Sequence, residues 1–323
     1  MRILLCGTVY GSAYLRALYG HESGLQLAGI LARSERSRDL ARQCAVPFYA
    51  TVDEVPPGSI DAAIVAISGD AGRAIITALL ARGVPVLAEH PIGVVDLTAH
   101  RAMAREHGTI FHINAHYSDL DAPATFIAAF RGARARSPLL FVHLLVNPRT
   151  LYSALEIVGR CLGSLHMESF DALPPRAESF FAVSQAIGSG VPLTIQFQRA
   201  SSEIDDGSSN WVSHNITAGF AEATLSMAEA QGPVLWMPSP PSVAQLQATP
   251  ELWSRALWRV LASPPPTFGE YVNGGRDRAN RIALARFARE VTTRTTEPEQ
   301  SDEHLLGVSA SWEAVLGTVG LGR

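Results

Sequence analysis

The pattern of apolar and polar positions changes character about a third of the way along the chain. Up to residue 118, short apolar runs alternate with stretches of helical period, which is the pattern of a parallel sheet with crossover helices. Strands are expected at Ile3–Cys6, Leu25–Leu31, Pro47–Tyr49, Asp61–Ile67, Val84–Ala88 and Thr109–Ile113. Helices are expected between them, at Ser12–Tyr19, Ser34–Cys44, Ala71–Arg82 and Asp96–His107. The run Asp61–Ile67 is almost wholly apolar, as a strand covered on both faces requires. After residue 120, helices at Ala122–Arg134 and Thr150–Leu162 flank a long strand at Leu139–Val146. Further strands are expected at Leu193–Arg199, His214–Gly219, Ala223–Ala230 and Val234–Met237, with connections short enough for antiparallel pairing. Leu252, Trp253, Leu257 and Trp258 have helical spacing and read as core. The polar segment Ser201–Asn210 reads as a loop.

The fold class that follows is α/β: an N-terminal Rossmann domain over residues 1–118, then a C-terminal α+β domain over 119–323 built on an open, mostly antiparallel sheet. An exposed open sheet needs cover, so a homodimer is expected.

Composition narrows the function classes. The chain has 323 residues, 47% of them hydrophobic and 17% charged, which allows a large core and argues against disorder. Its 26 basic and 30 acidic residues give a net charge of −4, so nothing draws it generally to nucleic acid or anionic membrane. No apolar run reaches the ~18 residues that a membrane span needs. Cys6, Cys44 and Cys161 are odd in number and far apart, with no metal-ligand spacing, so neither a metal site nor a disulfide framework is expected. A reducing cytoplasm fits this cysteine usage.

The loop after the first strand reads Cys6-Gly7-Thr8-Val9-Tyr10-Gly11-Ser12. A Rossmann turn uses glycines so that backbone amides approach a pyrophosphate at a helix N-terminus. Aligned on its last glycine, that pattern has Cys6 and Thr8 at its first two glycine positions, with Gly7 between them and Gly11 retained, so position supports it more than spacing does. The alternative is an ordinary strand-to-helix turn. The second strand runs into Arg33-Ser34-Glu35-Arg36, where NAD-binding chains usually place an acid. Arginine can hold the extra phosphate of NADP in a forked contact, so Arg33, Ser34 and Arg36 point to NADPH. A solvated helix N-terminus is the alternative. Ser68, after the Asp61–Ile67 strand, is a candidate cofactor contact or a plain helix cap.

Two segments at later strand ends carry candidate chemistry: Ala88-Glu89-His90-Pro91 and Asn114-Ala115-His116-Tyr117. At these places the chain resembles the glucose–fructose oxidoreductase/inositol dehydrogenase superfamily, which has Glu-Lys-Pro at the first and Asn-x-Arg-(Phe/Tyr) at the second. Here His90 stands for the lysine. In the helix expected at Thr150–Leu162, Ser153 stands where those sugar dehydrogenases place a histidine, and Glu156 where they place the following acid. With both groups replaced, oxidation of an alcohol loses its base. The chain looks closer to the thiazolinyl imine reductases of siderophore assembly lines. That resemblance rests on Cys6-Gly7-Thr8 with Tyr10-Gly11, Tyr14-Leu15 and Ala17-Leu18, on Pro85 to Pro91, on His116-Tyr117, and on Leu151 to Leu155.

The resemblance implies NADPH-dependent reduction of a thiazoline C=N to a thiazolidine. The implied substrate is a pyochelin- or yersiniabactin-type intermediate held on a carrier protein of a nonribosomal peptide synthetase. Such a reduction needs a hydride on carbon and a proton on nitrogen. His90 and Tyr117 are the candidate proton donors, and His116 is a third. Each has a bland alternative as a packed or hydrogen-bonded structural residue. Glu89 and His90 are also candidate cofactor contacts, beside Gly7, Thr8, Val9, Tyr10 and Gly11. Asn147, Tyr152, Ser153 and Glu156 are candidate substrate contacts, although Asn147 also suits a turn. His112, His143, His166 and His214 read as structural. The rival readings are an NADP-dependent sugar or polyol oxidoreductase and a nucleotide-binding member without chemistry.

Overall fold

A computed structural model describes residues 1–19, 24–172, 180–198 and 212–318 of the chain. They form two compact units, one comprising Met1–Asp119 with Val272–Ser309, the other Leu120–Tyr271 with the chain from Ala310 onward.

The first unit is built on six parallel strands: β1 (Arg2–Cys6), β2 (Gln26–Leu31), β3 (Phe48–Tyr49), β4 (Ala62–Val65), β5 (Val86–Glu89) and β6 (Phe111–Asn114). Their order is β3-β2-β1-β4-β5-β6. Helices α1 (Ser12–Tyr19), α2 (Glu35–Gln43), α3 (Gly69–Ala81) and α4 (Val94–Glu106) make the crossovers. The central strands explain the long apolar runs: all of β4, and all of β1 but Arg2, is buried, because helices cover both faces. One core layer gathers Leu4, Val65, Leu79, Val86 and Leu97. The opposite layer gathers Ile3, Leu5, Tyr14, Leu18 and Ile64. The order reverses between β1 and β4, so the carboxyl ends of those strands open the crevice in which such sheets bind ligands.

A single cut after residue 118 does not describe this unit. Residues 272–309 return to it, and side chains pin them there. Glu290 on the helix Asp277–Thr293 pairs with His112 of β6 at 2.7 Å, both groups being buried. Gln300 receives the amide of Ile113 at 3.0 Å and donates to its carbonyl at 2.9 Å. It thereby gives β6, at the sheet edge, the bonds that a further strand would supply. Asp302 holds Arg101 at 2.7 Å and Arg105 at 2.8 Å.

The second unit carries an eight-stranded sheet. Its strands are β7 (Leu139–Val146), β8 (Met167–Ala172), β9 (Phe181–Gly188), β10 (Val191–Gln198), β11 (His214–Phe220), β12 (Ala223–Met227), β13 (Val234–Pro238) and β14 (Arg259–Ala262). The order is β14-β13-β12-β11-β7-β10-β9-β8. All neighbours are antiparallel except β7 and β10, which run parallel. The mixed, mostly antiparallel sheet agrees with the expected fold class. Three of its strands, β8, β9 and β14, are additions to the expected set.

Helices α5 (Asp121–Arg134) and α6 (Leu151–Leu162) belong to this unit. Every residue of α6 is buried, so its two charged residues are paired inside: Arg160 donates to Glu156 four residues earlier. Glu156, a candidate substrate contact from the sequence, is thereby held in an ion pair within its own helix.

A second correction concerns Trp253, Leu257 and Trp258, which are 73%, 83% and 56% exposed rather than core. The Ser242-capped helix Val243–Ala248 stops before Pro250, and Pro250–Ser254 forms only a short 3₁₀ turn. Helical spacing therefore never projects these side chains onto one face. The loop expected at Ser201–Asn210, and Arg199 at the end of the strand expected from Leu193, lie outside the described residues.

Candidate functional site

The first unit places most of the candidate residues at the carboxyl ends of its strands. Gly7 to Gly11 follow β1, Arg33 to Arg36 follow β2, Ser68 follows β4, His90 follows β5, and His116-Tyr117 follow β6. Parallel pairing throughout the sheet brings all of these ends to one edge.

The glycine loop is closed by the Gly7 amide on the Leu31 carbonyl at 2.9 Å and by the Ser12 amide on the Thr8 carbonyl at 3.1 Å. Gly7 has φ +86°, and a Cβ there would stand 2.6 Å from Ile67 Cγ1 and 2.8 Å from the Ala66 carbonyl oxygen. At Gly11 a Cβ would meet the Gly7 carbonyl oxygen at 2.0 Å. Both glycines are therefore demanded by the turn itself. The amides of Val9, Tyr10 and Gly11 donate to no backbone carbonyl among the described residues, and the side chains of Val9 and Tyr10 are exposed. Together with the α1 N-terminus they form a donor set suited to a pyrophosphate. Thr8 is spent internally, its hydroxyl meeting that of Ser37 at 2.7 Å. Ser34 caps α2 by accepting the Ser37 amide at 3.2 Å. Arg33 and Arg36 are exposed, and neither guanidinium has an ion-pair partner among the described residues. Ser68 precedes α3, and its side chain makes no capping bond. The loop amides fit the pyrophosphate of a dinucleotide, and Arg33 and Arg36 are two cations at the neighbouring strand end.

At the ends of β5 and β6, side chains from four elements meet. The Tyr14 hydroxyl on α1 donates to Glu89 Oε2 and accepts from Asn114 Nδ2. Asn114 Nδ2 also approaches Glu89 Oε2 and Asn280 Oδ1, each at 3.4 Å. Asn114 is fully buried, and its Oδ1 meets no donor among the described residues. That orphaned acceptor marks a place for a ligand N–H, as a carboxamide would supply.

His90 Nδ1 lies 2.7 Å from the Asn114 carbonyl oxygen. A carbonyl oxygen only accepts, so Nδ1 carries a hydrogen and a proton gained by the ring resides at Nε2. Glu89 Oε1 stands 3.4 Å from the same nitrogen and 3.8 Å from His116 Nδ1. The His90 ring is 6.1 Å, centroid to centroid, from both His116 and Tyr117, and the latter two are 4.5 Å apart. The turn that bears His116 and Tyr117 is anchored by Asp119, which Arg286 holds at 2.5 Å.

Burial pushes the Glu89 carboxyl upward, against the opposing pull of His90, Tyr14 and Asn114. Burial and the Glu89 charge raise the Tyr117 hydroxyl, with Arg276 pulling the other way. Tyr117 is therefore an intact O–H donor at neutral pH. The Tyr14 hydroxyl is raised by burial and again by Glu89.

The second unit holds the other four candidates, all of them buried. Asn147 Oδ1 receives the amides of Arg149 at 2.9 Å and Thr150 at 3.2 Å, and its Nδ2 donates to the Val212 carbonyl at 2.5 Å. That side chain organises the turn into α6. The Ser153 hydroxyl meets the Thr150 carbonyl at 3.0 Å and His214 Nε2 at 2.6 Å. Glu156 pairs with Arg160. The Tyr152 ring stands edge-on to Trp312 at 6.1 Å.

Sequence reasoning missed Tyr14, Asn114 and Asn280 as site residues. Tyr14 and Asn114 stood inside the motifs that were noticed. Asn280 lies 166 positions beyond Asn114 and carried no local signal.

Residues 1–115 match the Gfo/Idh/MocA group, described as an oxidoreductase family with an NAD-binding Rossmann fold. No curated protein matches the chain. Solved structures of similar fold include an oxidoreductase from Agrobacterium radiobacter in complex with NAD+, L-tartaric acid and magnesium, at 13% identity and TM-score 0.73, covering 100% of this chain and 97% of that one. The UDP-N-acetylglucosamine 3-dehydrogenase GnnA from Acidithiobacillus ferrooxidans is similar at 14% identity and TM-score 0.71, covering 100% and 99%. The WlbA dehydrogenase from Bordetella pertussis, in complex with NADH and UDP-GlcNAcA, is similar at 12% and 0.71, covering 100% and 95%. No described helix is long and apolar enough to cross a membrane.

Proposed function

We propose that the chain is an NADPH-dependent reductase of a cyclic imine, converting the C=N of a thiazoline to a thiazolidine in a siderophore intermediate tethered to a carrier protein of a nonribosomal peptide synthetase. The observation that carries this reading is the cluster of His90, His116 and Tyr117 around Glu89, with no lysine or arginine within either strand-end motif. When bound, NADPH supplies the hydride. The proton required at the ring nitrogen then comes from this chain. His90 can release one from Nε2 while Nδ1 stays on the Asn114 carbonyl. Tyr117 offers an O–H that its surroundings keep protonated, and His116 is the third candidate.

The extra phosphate that distinguishes NADPH falls to Arg33 and Arg36, with Ser34 at the same helix start. Gly7 to Gly11 take the pyrophosphate, and Ser68, Glu89 and Asn114 border the nicotinamide end. Asn147, Tyr152, Ser153 and Glu156 serve the substrate by shaping α6 and the turn before it. In this reading the protein works as a homodimer in the cytoplasm, where carrier-bound intermediates and reduced nicotinamide are available.

The test is consumption of NADPH, followed by absorbance, with a synthetic thiazoline thioester. Turnover of this substrate and none with a panel of sugars and polyols is the expected result. Turnover of a sugar or polyol alone would replace the reading with that of a carbonyl oxidoreductase. Cofactor binding with no turnover of any substrate would leave a nucleotide-binding protein.

A further inference from the structure

Tyr14 lies on α1, one turn past the glycine loop, and has no place in the proton transfer proposed above. Its position is nevertheless specific. It is 2% exposed, it donates to one oxygen of Glu89 and it accepts from the side chain of Asn114. Both of those residues touch His90 Nδ1, Glu89 through its other oxygen at 3.4 Å and Asn114 through its carbonyl at 2.7 Å. Asn280 closes the group behind Asn114 and is itself buried.

We infer that Tyr14 is a positioning residue that sets the proton affinity of His90, by holding Glu89 as a countercharge and Asn114 as the anchor for the ring. This rests on reading the site as that of a reductase whose proton comes from His90. A buried carboxylate stays ionised only where donors meet it, and for Oε2 of Glu89 these are the Tyr14 hydroxyl and, at longer range, the Asn114 amide. The other groups facing the carboxylate are His90 at the end of β5 and His116 in the turn after β6. Tyr117 stands in the same turn, with Tyr10 and Arg276 acting on it. Loss of the tyrosine hydroxyl favours the neutral carboxyl. An imidazolium at His90 then lacks its countercharge and gives up its proton at lower pH.

Tyr14→Phe, purified and shown to bind NADPH as the parent does, tests this. Its thiazoline turnover should fall at alkaline pH far more than at acid pH, the alkaline limb of the profile moving down by about one unit. Glu89→Gln should displace the limb equally, and the double variant no further. A limb that stays in place, whether turnover is unchanged or scaled down at every pH, overturns the inference. A second readout needs no turnover and separates this idea from the proposed reaction. Ring ¹⁵N spectra of His90 in the cofactor-free protein should show hydrogen on Nδ1, with the titration midpoint lower in both single variants. Identical titrations in the parent and the variants overturn the inference even if thiazolines are reduced. Displaced titrations support it even if they are not.

Discussion

His90 Nδ1 and the carbonyl oxygen of Asn114 are 2.7 Å apart, a bond that joins the ends of neighbouring strands β5 and β6 and fixes the tautomer of the neutral ring with hydrogen on Nδ1. Replacing His90 by Ala, or Tyr117 by Phe, removes one of the proposed proton donors. General acid catalysis contributes roughly 10²–10⁴-fold, so turnover should fall by that order in at least one of the two. Absorbance assays after confirmed NADPH binding check this. Near-parental rates in both variants and in the double variant would eliminate these donors.

Arg33 and Arg36 are exposed at the end of β2, without an ion-pair partner among the described residues. Arg33→Ala combined with Arg36→Ala should weaken NADPH binding while leaving NADH binding nearly unchanged. Hydrogen bonds to a charged group contribute roughly 1.5–3 kcal/mol, or about 10–100-fold in Kd. Fluorescence titration with both cofactors decides it, and parental affinity for NADH above that for NADPH would rule out the NADP assignment.

Gly7→Ala forces a methyl to within 2.6 Å of Ile67 Cγ1 at a φ of +86°. The left-handed conformation alone costs roughly 1–2 kcal/mol for a residue with a Cβ, and the clash with the Ala66 carbonyl adds to that. The variant should melt lower than the parent and bind NADPH more weakly. An unchanged melting curve would show that the loop can relax around the methyl group.

Glu290→Ala leaves His112 buried opposite an empty place. Leaving a buried hydrogen-bonding group without its partner costs about 1–3 kcal/mol, more than an exposed ion pair contributes. Denaturant unfolding of the variant should show that loss. The double variant with His112→Phe should recover part of it, because the ring contact with Phe287 at 5.6 Å survives while the unpaired polar group is gone.

For Asp302, burial raises the carboxyl, but Arg101 and Arg105 outweigh it and hold the group below its ordinary value. A carboxyl depressed in the folded state contributes stability that is full above its unfolded value and lost as pH falls through the folded one. The pair is half-exposed, so its contribution is only about 0–1 kcal/mol after solvent screening. Asp302→Asn should lower the melting temperature slightly at neutral pH, with the difference vanishing in strong acid. A difference that grows toward acid would contradict the assignment.

The Rossmann elements were legible because their information is local. The period of apolar residues places β1, β2 and β4 to β6, and the candidate residues stand at or just after their ends, so finding the strand ends finds Glu89, His90, His116 and Tyr117. The strands β8, β9 and β14 were not legible. Met167–Ala172 mixes polar and apolar positions, and Arg259–Ala262 carries only three apolar residues, two of them exposed, so pairing with β9 and β13 makes them strands. Trp253 and Trp258 misled because spacing alone carries no information about the break that Pro250 introduces.

By itself, the sequence determined the alternation of strand and helix in the first third, the glycine turn, the cations after β2 and the pair of motifs that carry the histidines and tyrosine. Only tertiary structure decided that residues 272–309 complete the nucleotide unit and that Tyr14, Glu89, Asn114 and Asn280 form one group. These partners lie 75, 100 and 166 positions apart. A hydrogen bond acts over about 3 Å whatever the chain separation, so no local period records such a pairing. It arises when the sheet brings the strand ends to one edge and the returning helix covers them.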